Sequence, residues 1–269
     1  VLRGDVEYSA TASRAAGIRA AETPIIVFTE DHIFPEPEWA EALIRRHREG
    51  YAVVGPVVVN GNPSNLLSWA NFLIEYSEWL SPADDKSIWH LPGHNSSYKR
   101  KCLLAYGDRL QTFLASESLL HWDLLKRGHH LYLEPAARIH HFNFSRLIPS
   151  IALRFVVGRL FGGKRCVSWP AFKRLAYAFG APLIPFIRLL RITANIKRSD
   201  QVDRLPAVLF PVLFFLLVLD AAGELIGYVF GAGTSENTIT DIDFCRERFM
   251  NITDQKRFIQ ILDGDSLYC

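Results

Sequence analysis

Apolar positions fall into separate blocks along the first half of the chain, and the spacing within each block predicts a strand or a helix. The short apolar run at 25–28 predicts a strand that leads directly into polar residues. The continuous apolar run at 51–59 predicts a strand that is buried on both faces. Residues 35–50 have a proline near their start, apolar side chains at helical spacing and Gly50 at their end, so they predict a helix.

The following blocks continue this alternation of strands and helices. Apolar residues at helical spacing predict helices at 65–80 and 117–128, and residues 129–135 predict a short strand. A polar loop that contains a glycine, residues 90–101, lies between the two helices. The pattern predicts an α/β fold with a mixed, mostly parallel sheet flanked by helices. Ligands bind at the carboxyl ends of strands in such sheets, and Thr29–His32 lie at such an end.

The pattern changes from about residue 145, where basic residues join the apolar ones and acidic residues almost disappear. Residues 146–204 therefore predict basic amphipathic helices that lie in a membrane interface. Residues 205–233 predict a segment embedded in the bilayer, because a span needs about 20 mostly apolar residues. Lys197, Arg198 and Arg204 precede this segment and indicate that its near side is cytoplasmic.

Two carboxylates interrupt the apolar segment. Asp220 and Glu224 would be costly at the middle of a bilayer. They must therefore face protein or lie near the far interface, or else the segment is tilted or re-entrant. The residues after it, 234–269, read as a polar tail with no recognisable function.

Charge and cysteine content exclude several classes of protein. The formal net charge of the 269-residue chain is +2, which is too small to indicate nucleic acid as the main partner. The four cysteines are far apart and form no C-x-x-C pair, which argues against a zinc site and a disulfide framework. The first residues contain no apolar run, so no signal peptide is visible.

Polar residues that could carry chemistry occur first at the end of the first strand and in the polar loop. Glu30, Asp31 and His32 could bind a divalent cation that bridges a diphosphate, or they could form a solvated turn. Gly93–Asn95, followed by the cations at 98–101, could hold a phosphate or a sugar hydroxyl. The alternative for this second stretch is a surface loop that caps a helix.

The other candidates lie near the two later elements. Glu117 begins a helix and could be a general base, although a glutamate there also favours a helix N-terminus. His140 and His141 follow the last strand and a proline. Because neighbouring residues of a strand point to opposite faces, at most one of these histidines would join a given site. A structural or surface role is the alternative for both.

The order of these motifs is more specific than any one of them. Over roughly residues 8–165 the chain resembles the family 2 glycosyltransferases, which have the GT-A fold. The similarity is carried by a helix motif at 12–18 with Ala15 where asparagine is usual, the metal motif at Thr29–His32, the G-x-N-x-x-x-R loop at 93–100, the acidic pair position at Glu117-Ser118, and the last strand motif at Pro135–His141.

The resemblance implies a role for each matching residue. Glu117 takes the place of the catalytic carboxylate, with glutamate for the usual aspartate. Asp31 is the foremost metal ligand for Mg²⁺ or Mn²⁺, joined by His32 and His141. The donor and acceptor would be contacted by Arg14, Glu30, Gly93, His94, Asn95, Arg100 and His121.

The resemblance also implies an activity. The chain would move a sugar from a nucleotide-diphosphate donor to an acceptor hydroxyl, with inversion and metal assistance, at the cytoplasmic face of the inner membrane. The acceptor would be a glycan or a lipid-linked molecule, membrane lipid would be a partner and nucleic acid would not, as in polysaccharide biosynthesis. The family's first strand-helix-strand unit, which holds the base and ribose, would precede residue 1, so we expect residues 1–145 to be an N-terminally truncated GT-A domain.

Two other functions stay open at this point. A catalytically inactive GT-A scaffold in a polysaccharide-assembly complex would be favoured by loss of the metal or base carboxylate, and both are present. A metal-dependent hydrolase of phosphate esters would need more histidine and aspartate ligands than one strand end supplies.

Overall fold

A computed structural model describes residues 10–80, 88–114, 117–199 and 205–263 of the chain. Arg204, one of the basic residues behind the predicted orientation, lies outside the described residues. The chain divides into two compact units. The first unit comprises Val1–Val59 with Trp79–His140, and the second comprises Asn60–Glu78 with His141–Cys269.

The sheet of the first unit has the strand order β1-β4-β3-β5-β2. Strand β4 is antiparallel to both of its neighbours. Ala52 N donates to His130 O near one end of β3, and Gly61 N donates to His141 O just beyond the other, so β3 and β5 run parallel. The sheet is therefore mixed, as predicted. The strands are β1 (Ile25–Val27), β2 (Ile33–Pro35), β3 (Val53–Asn60), β4 (Ser97–Lys99) and β5 (Leu131–His141).

Helices flank this sheet in the first unit and make up most of the second unit. A short 3₁₀ turn spans Gly93–Asn95. The α-helices are α1 (Ala10–Ala20), α2 (Trp39–Arg48), α3 (Leu66–Tyr76), α4 (Arg100–Leu104), α5 (Leu110–Leu114), α6 (Glu117–Lys126), α7 (Leu147–Arg165), α8 (Ala171–Gly180), α9 (Ile184–Arg198), α10 (Leu209–Phe230), α11 (Ser235–Phe244) and α12 (Ile252–Leu262).

Strand β3 is the central element of the first unit's core. Its residues are buried on both faces except for the partly exposed Val59, as the continuous apolar run predicts. Val53 and Val57 pack in one cluster with Tyr98, Leu103 and other apolar side chains of α1, α5 and α6. This packing fixes the strand ends from which the candidate site residues project.

Strand β5 is longer than its pattern predicts. It continues past Pro135 to His141, whereas the sequence predicts a strand that ends at residue 135. A proline has no N–H for the ladder, so it usually marks a strand end. Here the Glu134 carboxylate accepts a hydrogen bond from Ala136 N at 3.0 Å, and the strand resumes beyond the proline. His140 and His141 are consequently strand residues.

In the second unit, α7 and α10 pack with their backbones almost in contact. Gly158 and Gly162 on α7 and Gly223 and Gly227 on α10 form two G-x-x-x-G pairs. A Cβ added at Gly158 would lie 2.0 Å from the Asp220 carbonyl oxygen, and one at Gly223 would lie 2.1 Å from the Phe155 carbonyl oxygen. Small residues at this spacing allow such an approach, and they are frequent where helices associate in membranes.

Asp220 and Glu224 face protein. Only 2% of Asp220 and 5% of Glu224 is exposed. Arg188 of α9 pairs with the Asp220 carboxylate, and its Nη1 lies 3.9 Å from Glu224 Oε1. Tyr228 Oη donates to Glu224 Oε2 at 2.9 Å. Of the alternatives left open by the sequence, burial against protein is therefore the one that the structure shows.

Two stretches of the described chain are long and apolar enough to cross a membrane, judged by length and composition: Ala171–Arg198 and Leu209–Phe230. The first of these is the continuous α8–α9 region, which the sequence predicts to be interfacial. Large apolar side chains project from it into solvent, among them Phe172, Phe179 and Leu190.

Candidate active site

The loop after β1 and the turn at Gly93–Asn95 are held side by side. Asn95 is buried, its Nδ2 donates to Glu30 Oε2 at 2.7 Å, and its Oδ1 accepts from Glu30 N at 3.2 Å. Phe28 N donates to Ser96 O at 3.0 Å and continues the pairing of β1 with β4. The sheet therefore brings together two motifs that are more than sixty residues apart in sequence.

Glu30, His32 and His141 form a group that could hold a metal ion. One ligand atom from each residue lies within 4.8 Å of the others. His141 is the last residue of β5, so its position follows from that strand. Both histidines are almost fully buried, and this donor set of one carboxylate and two imidazoles suits a divalent transition metal.

The hydrogen bonds of the two histidines support this interpretation. His32 Nδ1 donates to Asp31 Oδ1 at 2.9 Å. His141 Nδ1 donates to Asn143 Oδ1 at 2.8 Å, because the Asn143 amide nitrogen is already used to donate elsewhere. In a neutral ring with Nδ1 protonated, Nε2 carries the lone pair that can bind a metal, and the hydrogen-bonded oxygen fixes the orientation of the ring.

Asp31, which the resemblance implies to be the foremost metal ligand, lies beside this group. It is not part of the Glu30, His32 and His141 group, and 89% of its side chain is exposed. Its contact with His32 Nδ1 is that of a residue that orients a metal ligand.

A second cluster surrounds Glu117 at the start of α6. Glu117 Oε1 lies 2.9 Å from Arg14 Nη1 and 2.9 Å from His94 Nδ1. The Glu117 side chain is mostly buried, whereas His94 is half exposed. Gly93 is in direct contact with this carboxylate side chain, because a Cβ at Gly93 would lie 2.2 Å from Glu117 Cβ. Any larger residue at position 93 would displace Glu117.

The cluster keeps both members of the Glu117–His94 pair charged. Burial alone would raise the pKa of Glu117, but the neighbouring His94 and then Arg14 outweigh burial and lower that pKa to about 2. The same carboxylate is the main cause that raises the pKa of His94 to about 9. The three side chains contact one another, since Arg14 Nη2 also lies 3.2 Å from His94 Nδ1, and one carboxylate is thus shared by an imidazolium and a guanidinium at neutral pH.

His121, predicted to contact donor or acceptor, lies in the core behind the Gly93–Asn95 turn. Its Nδ1 accepts from Leu91 N at 3.2 Å and its Nε2 lies 2.8 Å from Tyr98 Oη, which in turn donates to Gly93 O. Burial lowers the pKa of His121 to about 3, so the ring is neutral. The structure thus shows this histidine supporting the turn from behind.

Arg100, also predicted to contact the donor, holds the C-terminal end of α1. Its Nε donates to Ile18 O and its Nη2 to Arg19 O, both at 2.9 Å. These carbonyls have no partner within the helix, so the guanidinium satisfies them and fixes the helix that carries Arg14.

The predicted site residues thus fall into two groups and two supports. Glu30, His32 and His141 form the first group, next to Asp31 and Asn95; Arg14, Gly93, His94 and Glu117 form the second; His121 and Arg100 are supports. Sequence reasoning missed Asn143, the partner of His141. Its position two residues after a candidate ligand was the available signal.

The mixed α/β sheet with flanking helices agrees with the GT-A class of glycosyltransferases. Residues 1–107 match the family model described as Glycosyl transferase family 2. The match confirms the resemblance seen in the motifs and supports glycosyltransferase activity in general. It includes Arg14, Glu30–His32 and Gly93–Asn95. No curated protein sequence matches the chain.

Proposed function

We propose that the protein moves a sugar from a nucleotide-diphosphate donor to an acceptor hydroxyl, with inversion and with the help of a divalent cation, at the cytoplasmic face of a membrane. One observation carries this proposal. Through the Asn95–Glu30 hydrogen bonds, the Gly93–Asn95 turn joins a group of potential metal ligands to the charged cluster at Glu117. Transfer from such a donor needs a cation that neutralises the leaving diphosphate and, close to it, a base that accepts the proton of the acceptor hydroxyl.

Glu30, His32 and His141 are the residues that would hold the cation. When bound, the cation neutralises charge on the leaving diphosphate. Of the two predicted ions we favour Mn²⁺, because two of the three ligands are imidazoles and Mg²⁺ strongly prefers oxygen. Asp31 would act behind the ligands by fixing the His32 ring.

Glu117 would accept the proton of the acceptor hydroxyl as that hydroxyl attacks the anomeric carbon. A carboxylate with a pKa of about 2 is a weak base while Arg14 and His94 neutralise it. The anionic diphosphate would compete with Glu117 for these two cations. Donor binding would therefore raise the pKa of Glu117 and make it a stronger base at the moment when the acceptor needs one.

The membrane part of the proposal is supported by the second unit. Phe172, Phe179 and Leu190 are exposed on α8 and α9, and Lys197 and Arg198 end this region. An apolar surface next to basic residues fits a membrane interface with anionic lipid headgroups. An acceptor that is a glycan or a lipid-linked molecule would be reached at that surface.

The direct test is sugar transfer by the full chain in membranes. Labelled UDP-glucose, UDP-N-acetylglucosamine and GDP-mannose are supplied with Mn²⁺ or with a chelator. We expect metal-dependent transfer from one donor, lost in Glu117→Gln and kept in the exposed control Glu22→Gln. Transfer that is unaffected by Glu117→Gln would overturn the assignment of Glu117 as the base. Equal transfer in the presence of the chelator would overturn the proposal that a divalent cation takes part.

The membrane location is tested separately by washing the membrane fraction with high salt and then with carbonate. The chain should stay in the pellet through both washes. Complete release into the supernatant would contradict embedding of residues 205–233.

A further inference from the structure

A buried polar network follows β5 in the second unit. The side chains of Asn60, Asn62, Ser68, Asn143 and Asp254 are at most 5% exposed and hydrogen bond to one another. Buried polar groups at this density are costly unless each has a defined partner. Asn60 takes part through Oδ1, which accepts from Asn62 N, Ser68 and Asn143, while its buried Nδ2 has no hydrogen-bond partner in the described chain. The hydrogen-bonded members restrict how the segments that carry them can be arranged.

One end of the network orients His141. Asn143 Nδ2 donates to Asn60 Oδ1 at 3.0 Å and to His141 O at 3.0 Å. The Asn143 amide oxygen is thereby directed at His141 Nδ1, 2.8 Å away. The ring of His141 also packs on Tyr76, with 4.6 Å between the ring centroids. These contacts fix both the tautomer and the plane of the imidazole.

Asn62 connects this end to the C-terminal helix. Its Oδ1 accepts from Asn143 N at 2.8 Å, and its Nδ2 donates to Asn143 O and to Asp254 Oδ2, both at 2.9 Å. A carboxylate can only accept, so Asp254 requires that the amide nitrogen of Asn62 faces it. The oxygen of Asn62 must then face the Asn143 N–H.

Asp254 is itself held at the first turn of α12. Asn251 Nδ2 donates to Asp254 Oδ2 at 2.8 Å, and Asn251 Oδ1 accepts from Asp254 N at 2.9 Å, which caps the helix. The same helix packs through Phe258 on Phe142, with 5.5 Å between ring centroids. Helix α12 therefore holds the residues that directly follow His141.

We infer that Asp254 is a positioning residue for His141, acting through Asn62 and Asn143, and that α12 is a structural part of the metal centre. The inference rests on the proposed function, because it takes His141 as a metal ligand. It assigns a role to the part of the chain that the sequence predicts to be a polar tail.

The test is a titration of the detergent-purified full chain with Mn²⁺. Calorimetry and the electron paramagnetic resonance signal of free Mn²⁺ both measure the Kd. Asp254→Ala removes the carboxylate oxygen that accepts from the amide groups of both Asn62 and Asn251. We expect the Kd for Mn²⁺ to rise about tenfold, the lower end of the effect of residues that support metal ligands. The rate at saturating Mn²⁺ should change less than about twofold, because the ligands themselves remain. The control is Asp263→Ala, at the exposed C-cap of the same helix, which should bind as wild type does.

The outcomes separate this inference from the proposed function. If wild type binds Mn²⁺ and Asp254→Ala binds it equally well, the inference alone is overturned. Wild type that binds no Mn²⁺ overturns both. If Asp254→Ala fails to fold by circular dichroism, Ser68→Ala decides, because it removes only a hydroxyl that lies within hydrogen-bond distance of Asn60 Oδ1 and Asn62 Oδ1. Ser68→Ala should then raise the Kd several-fold, and an unchanged Kd would reject the inference.

Discussion

Glu117 Oε1 and His94 Nδ1 lie 2.9 Å apart, although the two residues come from a helix start and from the polar loop 23 residues earlier. Each shifts the pKa of the other. The carboxylate raises the pKa of the imidazole to about 9, and the imidazole is the main reason that the pKa of the carboxylate falls to about 2. The pair is thus a fixed feature of the site whose removal has consequences for pH, rate and stability.

The first prediction concerns the pH behaviour of His94. In Glu117→Gln the pKa of His94 should fall from about 9 toward its ordinary value of 6.5, because the main cause of the increase is removed. The ring resonances of His94, followed by NMR against pH, measure this. A His94 that titrates equally in both proteins would contradict the pairing.

The pair also predicts how stability depends on pH. His94 has a raised pKa, so its contribution is complete below about 6.5 and is lost as the pH rises through about 9. Glu117 has a lowered pKa, so its contribution is complete above about 4.5 and is lost as the pH falls through about 2. The stability difference between wild type and Glu117→Gln, from thermal unfolding, should therefore be largest between about pH 4.5 and 6.5 and smaller at pH 9.5.

The next prediction separates donor binding from catalysis. Glu117→Gln should lower the rate of transfer about 10²–10⁴-fold, the usual effect of removing a general base. Donor affinity should be retained or increased, because Arg14 and His94 no longer have a carboxylate that competes with the diphosphate. Calorimetry with the donor and steady-state rates test both parts. A loss of affinity without a loss of kcat would assign Glu117 to donor binding.

The contrast between Glu30 and Asp31 gives a prediction on metal binding. Glu30→Gln should abolish Mn²⁺ binding, because Glu30 supplies the only carboxylate of the three-residue group. Asp31→Asn should weaken Mn²⁺ about 10–100-fold, the effect expected for a residue that orients a ligand. Mn²⁺ titration of the two variants side by side measures this. The reverse order of effects would make Asp31 the ligand, as the resemblance implies.

The α7–α10 contact gives a prediction on stability. Gly158→Ala should destabilise the chain by about 1–3 kcal/mol, because the added methyl group meets the Asp220 carbonyl oxygen. Gly180→Ala, at the end of α8, is the control. A Cβ there has nothing within 4 Å, so it should be neutral or stabilising by up to about 1 kcal/mol. Thermal unfolding in detergent compares the two, and equal effects would mean that the helices are not in close contact.

The local pattern was sufficient wherever burial and spacing follow directly from neighbouring residues. The apolar run of β3 is buried as predicted because a strand covered on both faces needs no polar positions. The end of β5 was harder to predict. A proline normally ends a strand, whereas here the strand continues through Pro135 to His141, and the Glu134 side chain accepts a hydrogen bond from Ala136 N next to the proline.

By itself the sequence determined the α/β fold, the order of the family motifs and the apolar segments, because these depend on periodicity and on residue type at fixed spacing. Only the tertiary structure decided which side chains meet. It placed Glu30 with the two histidines and left Asp31 exposed. It also buried Asp220 against Arg188 and connected Asp254 to Asn143 through Asn62. These outcomes depend on contacts between residues up to about two hundred positions apart in sequence. Such contacts are decided by packing and by the need of buried polar groups for hydrogen-bond partners. The local sequence pattern carries no information about them.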